Sequence, residues 1–252
     1  MKNQLLLLLF LLGVVFPLSA QESEVLISTS HTSLLLSTPQ GGELKFLYYG
    51  RKLTDADVHA VVSTESGSFS AYPVYGLNCP SESALSVQHE DGNMTLQMEV
   101  IGVETIHQEK ADLTVISLKD KVYPFYVKLC YKAYQDVDVI EAWTEISHKE
   151  KKNVKLNQFA SAYLPVRKGN VWLSSLYGAW ANEARLVQEP LEPGMKVIKN
   201  KDGVRNSHTA HAEVMFSLDG QPRENSGRVI GAALCYGGNY KLRIDTDESE
   251  YH

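Results

Sequence analysis

The chain has 252 residues, 44% of them hydrophobic, and carries 24 Lys and Arg against 30 Asp and Glu, for a net charge of −6. That length is enough for one large domain with a substantial core. The acidic balance and the lack of a basic stripe argue against a nucleic-acid partner; the run Lys149-Glu150-Lys151-Lys152 is interrupted by a carboxylate and has the character of a solvated turn.

Residues 1–20 have the pattern of a signal peptide. Lys2 supplies the positive start, Leu5 to Val15 an apolar stretch too short to span a bilayer, and Leu18-Ser19-Ala20 a cleavage site. The expectation is an exported protein, periplasmic or secreted, with no bacterial lipid anchor and no membrane association after cleavage. Residues 21–252 then form the folded domain, with no internal boundary drawn.

Period-two alternation dominates the rest of the chain. Leu44 to Tyr49, Met94 to Val100, Leu113 to Leu118, Phe125 to Tyr131 and Val137 to Ile146 are predicted strands, rich in β-branched and aromatic residues. Asp91-Gly92, Asp202-Gly203, Asp219-Gly220 and Gly237-Gly238 lie between apolar runs, as hairpin turns with positive φ require. No stretch has the periodicity and both caps of an amphipathic helix, and Ala181 to Val187 is the best helical candidate. The predicted fold class is all-β, a large antiparallel β-sandwich. Tyr240 to Asp245 is a last strand with no successor, expected at an edge, and the short acidic tail after it points to a truncated parent.

Candidate chemistry is sparse. Cys130 and Cys235 sit in the apolar runs VKLCY and AALCY and are expected to be free and buried, as is Cys79, although one disulfide is open to an exported chain. Asp55 and Asp57, Asp136 and Asp138, and Asp245 and Asp247 each stand two apart and would share a face in a strand; flanking turns or the chain end, they are better read as hydrated acids than as catalytic dyads. Asp245, Asp247 and Glu250 lack the loop of a calcium site, and His208 and His211 lack a third metal ligand. No phosphate-binding glycine loop or nucleophile elbow is present. No metal and no cofactor is therefore expected.

The order of motifs is more specific than any one of them. Leu47-Tyr48-Tyr49-Gly50-Arg51 is followed by Tyr72-Pro73-Val74-Tyr75-Gly76, Ala84-Leu85-Ser86-Val87 and Asp91-Gly92-Asn93. Gly178-Ala179-Trp180, with Glu183 and Arg185, then precedes Pro190-Leu191-Glu192-Pro193-Gly194, Ser207-His208, Gly227-Arg228-Val229-Ile230-Gly231 and Tyr236-Gly237-Gly238-Asn239-Tyr240. That succession resembles the N-terminal β-domain of glycoside hydrolase family 36, the α-galactosidases. Two places depart from the family pattern: Cys79-Pro80-Ser81 stands where an acidic-aromatic-basic trio is usual, and Thr209-Ala210-His211-Ala212 replaces an amide, Asn and Pro after Ser207-His208.

The resemblance implies a β-supersandwich, incomplete at its C-terminus, whose parent is a retaining, homo-oligomeric enzyme acting on terminal α-galactosides of the melibiose and raffinose type. Retention needs two carboxyl groups about 5 Å apart. The resemblance puts both on a (β/α)₈ barrel that follows the β-domain, and no alternating strand–helix pattern of that kind occurs in these residues, so no catalytic residue is expected here. It also places Trp180 and His208 near substrate or at a domain interface, while Trp143 and Trp172, in strand patterns, are expected in the core. The alternatives are a galactoside-binding module that stands alone, without hydrolase activity, and a structural remnant.

Overall fold

The structure is a computed structural model that describes residues 23–39, 42–64, 69–76, 82–166, 169–205 and 209–246. The predicted signal peptide, Cys79, Ser207, His208, Asp247 and Glu250 lie outside them. The described chain is built almost wholly of antiparallel strands. In sequence order these are β1 (Ser23–Ser28), β2 (Thr32–Thr38), β3 (Lys45–Arg51), the single described helix α1 (Asp55–Thr64), β4 (Phe69–Ser70), β5 (Leu85–Gln88), β6 (Met98–His107), β7 (Ala111–Asp120), β8 (Phe125–Tyr134) and β9 (Ile140–His148). There follow β10 (Lys155–Phe159), β11 (Trp172–Tyr177), β12 (Arg185–Pro190), β13 (Gly194–Asn200), β14 (Ala210–Ser217), β15 (Val229–Ala233) and β16 (Tyr240–Thr246).

Two apolar cores organise these strands. The sheet β1-β2-β3-β4, the pair β10-β5 and the meander β6-β7-β8-β9 bury the first, which includes Ile27, Leu36, Phe46, Leu85, Val87, Ile116 and Val127. Alternation works as the sequence dictates: Thr114, Ile116 and Leu118 of β7 are buried, while Leu113, Val115 and Ser117 between them are only half-buried. Each fully buried aliphatic side chain contributes roughly 1.5–3 kcal/mol relative to exposure. The second core holds Leu173, Ile198, Ala212, Val214, Tyr240 and Ile244, between the sheet β12-β11-β14-β15 and the pair β13-β16. The Tyr240 hydroxyl donates to the Ala210 carbonyl at 2.9 Å, which satisfies its one polar group in that core. An ion pair from Arg243 on β16 to Glu82 ties the second assembly to the first.

Several expectations need correction. The helix is Asp55–Thr64, not Ala181–Val187. Its start is a capping box: the Thr54 hydroxyl accepts the Asp57 N–H at 3.3 Å, and the Asp57 carboxylate accepts the Thr54 N–H at 2.9 Å. Residues 185–187 instead open β12, paired with β11. Strand β6 begins at Met98 rather than Met94, and β9 at Ile140 rather than Val137. The Asp-Gly turns take the expected conformation, with Gly92 at φ 91°, Gly203 at 62° and Gly220 at 107°; Gly237 and Gly238 do not take positive φ. Gly238 is small for another reason: a Cβ there would come within 2.6 Å of the Tyr236 ring lying over it. Cys130 and Cys235 are free, but only Cys130 is buried; Cys235 lies beyond the end of β15, where the alternation of its run no longer governs burial. Trp143 and Trp172 are half-buried on outer strand faces, with their indole N–H groups on Glu145 at 3.3 Å and Asn170 at 3.2 Å. The last strand, β16, pairs only with β13.

Candidate functional site

The β11–β12 hairpin carries Trp180 on a fixed loop. Its flanks are in register, Tyr177 opposite Arg185 and Leu176 opposite Leu186, so the loop is residues 178–184. At its base the Gly178 N–H donates to the Thr209 carbonyl at 3.3 Å. Across its tip Ala179 and Asn182 exchange backbone hydrogen bonds, of 3.2 and 2.9 Å. The Glu183 carboxylate then accepts the Ala181 N–H at 3.1 Å. Both Ala181 (φ 59°) and Ala184 (φ 56°) occupy the left-handed region, which costs an L-residue with a Cβ about 1–2 kcal/mol each. The surrounding bonds hold that geometry. What it achieves is to send Trp180 outward: the indole is 81% exposed.

An exposed indole presents a flat apolar face able to pack on the C–H face of a pyranose, on a backbone already fixed by its hydrogen bonds. Trp180 is thus surface-presented rather than buried in the core. The other predicted site residue, His208, lies outside the described residues. Thr209, which follows it, re-enters at the base of the Trp180 loop through its bond from Gly178.

The remaining titratable groups have other work. His211 on β14 faces Glu213 at 3.6 Å, and its Nε2 is buried without a partner. Asp57 caps α1, and the Thr54 backbone N–H and hydroxyl hold its carboxyl below the usual range. Asp138 accepts the Thr29 hydroxyl, the His31 N–H and the His31 ring, each at 2.9 Å. The Thr29 bond is the largest cause of its lowered pKa. Asp245 takes the Arg243 Nε–H at 3.0 Å. Arg243 also pairs with Glu82, so its guanidinium bridges the two carboxylates. Among the described residues no group of three His, Cys, Asp or Glu is arranged to hold a metal ion.

Left-handed alanines leave no mark in a sequence, so the strained geometry of the Trp180 loop was not legible. Nor was the staple beneath the neighbouring turns. Asn200, almost fully buried, donates to the Gly203 carbonyl at 2.6 Å and the Gly238 carbonyl at 3.2 Å, and Asn239 accepts the Gly203 N–H at 2.9 Å. A polar residue ending a strand before Asp-Gly was the one available signal for it.

Antiparallel sheets around two apolar cores, with an indole presented on a hydrogen-bonded hairpin loop, define a β-sandwich platform. Comparison with known proteins is specific about which one. The sequence matches the Glycosyl hydrolase family 36 N-terminal domain over residues 42–251, and the chain belongs to that family. It is 29% identical over 144 residues to alpha-galactosidase Mel36A of Lactobacillus acidophilus, a match covering 57% of this chain and 19% of that protein. It is 23% identical over 192 residues to alpha-galactosidase AgaA of Geobacillus stearothermophilus, covering 70% of this chain and 26% of that one. Among solved structures, the alpha-galactosidase of Lactobacillus brevis superposes with a TM-score of 0.81 at 22% identity, over 91% of this chain and 35% of that one. AgaA in complex with raffinose gives 0.81 at 20% identity, over 91% and 36%. The chain therefore spans about a third of the length of these solved relatives and about a quarter or less of the sequence relatives.

Proposed function

We propose that this chain is the non-catalytic N-terminal domain of an exported, retaining α-galactosidase acting on terminal α-galactosides of the melibiose and raffinose type. In this reading the β-platform scaffolds a catalytic barrel and its homo-oligomer, and Trp180 and His208 serve the sugar site or the domain interface. The sequence of Lys2 and Leu5 to Val15 supports export. Family membership supports the enzyme class. The observation that carries the site is the combination of an 81% exposed indole with two left-handed alanines that hold its loop.

A second reading, a galactoside-binding module without hydrolase activity, is favoured by that same exposure, because the indole is accessible in the chain by itself. Titration of the purified chain with raffinose, followed by tryptophan fluorescence, separates the two. Saturable change that disappears in Trp180→Ala identifies a module that binds unaided. No change in the isolated chain, together with a raised Michaelis constant in Trp180→Ala of the barrel-containing enzyme, identifies the scaffold. Unchanged kinetics with unchanged oligomeric state in that enzyme would remove Trp180 from the site.

A further inference from the structure

The outer face of the β6–β9 meander holds a hollow of about 230 Å³, walled by Ile101, Ser117, Tyr126, Lys128, Ser147 and Lys149. Strand register explains why it is there. Gly102 lies opposite Ser117, Ser117 opposite Lys128, and Tyr126 opposite Ser147, so these side chains share one face of the sheet. Gly102 and Ser117 put a hydrogen and a hydroxymethyl side by side where neighbouring rows carry longer chains, and the space over Gly102 is open. The register shift between Val100 and Gly102 is a bulge that turns Ile101, 53% exposed, outward as a side wall.

Charge at the hollow runs against that of the chain. The net charge of the protein is −6, yet two ammonium groups border this concavity. Lys149 is poised over the Tyr126 ring, 5.7 Å from its centroid. Lys128 is exposed, and neither lysine forms an ion pair among the described residues. Glu145 is opposite Lys128 in register and keeps its charge while its Oε1 accepts the Trp143 indole N–H at 3.3 Å, so the two ammoniums are offset in part. Ser117, Ser147 and Tyr126 add hydroxyl-bearing side chains to a lining that is otherwise mainly apolar, with Leu118 and Val127 at its base.

We propose that this hollow binds a monosaccharide-sized sugar acid. Its carboxylate meets Lys128 and Lys149, its hydroxyls meet Ser117, Ser147 and Tyr126, and its apolar edge lies against Ile101. The volume is below the roughly 300–1,000 Å³ of pockets for drug-sized ligands, which limits the occupant to one ring. An uncharged hexose leaves both ammoniums without an ionic partner, and a simple anion leaves the hydroxyls and Ile101 unused. The site is separate from the Trp180 loop, so each assignment stands or falls by its own test.

The test is titration of the purified full chain with galacturonate, galactose and acetate, read by calorimetry and by backbone amide shifts. Galacturonate is expected to perturb amides around Ser117, Lys128 and Ser147, and galactose and acetate to bind at least about tenfold more weakly, since a charge-assisted bond contributes at least that factor. Lys128→Ala, an exposed substitution that leaves the melting curve in place, is expected to weaken galacturonate by about tenfold. The proposal is overturned if galacturonate does not bind, if galactose or acetate matches it, if the perturbed amides lie elsewhere, or if Lys128→Ala binds as the parent does.

Discussion

Glu150→Ala should strongly destabilise the first core. The Glu150 Oε1 to His89 Nδ1 distance is 2.8 Å, with the two side chains 2% and 0% exposed. Oε2 of the same carboxylate accepts the Glu90 N–H at 3.2 Å. His89 stacks on Tyr123, with centroids 3.7 Å apart and planes 7° from parallel, and meets Phe125 edge-on. Its Nε2 has no partner. Removing the carboxylate leaves an imidazole with neither nitrogen satisfied, wedged between two aromatic rings, and frees the Glu90 N–H as well. Losing this buried hydrogen bond to a carboxylate and leaving its donor unsatisfied costs about 3–5 kcal/mol. At roughly 2–4 °C per kcal/mol for a domain of this size, the midpoint of thermal unfolding should fall by about 6–20 °C. Circular dichroism melts of the two proteins measure it. The control is Asp219→Asn, which weakens the exposed Arg228 pair and should leave the melt where it was. A Glu150→Ala midpoint within a degree or two of the parent would refute the buried clasp between the His89 turn and the β9–β10 loop.

Three other outcomes follow from single positions. Gly76 has φ +104° and a Cβ there would meet the Thr95 Cα at 2.6 Å, so Gly76→Ala should destabilise by more than the roughly 1–2 kcal/mol of left-handed strain alone, whereas Gly194→Ala, at φ +130° in open space, should cost only the strain; chemical denaturation compares them. With a thiol reagent, Cys235 should react within minutes and Cys130 only after unfolding, because Cys130 is buried and burial raises its thiol pKa; peptide mapping that finds Cys130 labelled as fast as Cys235 would contradict the packing of β8. Burial also raises Tyr72 to about 12, against bonds with Thr144 and Ala160 that lower it. The raised value means this stabilisation is complete below pH 10 and lost as pH rises through about 12, so absorbance titration should lose one late-ionising tyrosine in Tyr72→Phe, while Tyr131, which burial raises further, stays late.

Much of this fold was legible because its physics is local. Alternation in Leu113 to Leu118 and Phe125 to Tyr131 specified strands, and Asp-Gly pairs specified turns through backbone sterics at glycine. Family membership was legible because motif order survives where identity is low. What escaped the sequence depends on contacts that form between distant residues or on conformations with no compositional mark. Helix α1 escaped because its capping box uses Thr54 and Asp57, and the two-residue spacing of Asp55 and Asp57 suits a strand face equally well. Half-burial of Trp143 and Trp172 escaped because a strand pattern fixes alternation and not which side is covered. The presentation of Trp180 rests on alanines in a region that residue type rarely visits, and the hollow beside Tyr126 on a bulge that shifts Ile101 to a different face.

Hydrolysis of nitrophenyl α-galactoside by the purified chain bears most directly on the proposal that these residues form a platform without catalytic groups. No nitrophenol release above the buffer background is predicted, at any enzyme concentration reachable in the assay. Turnover that scales with protein and persists through repurification would mean that a carboxylate pair within the sheets does the chemistry, and would contradict that proposal.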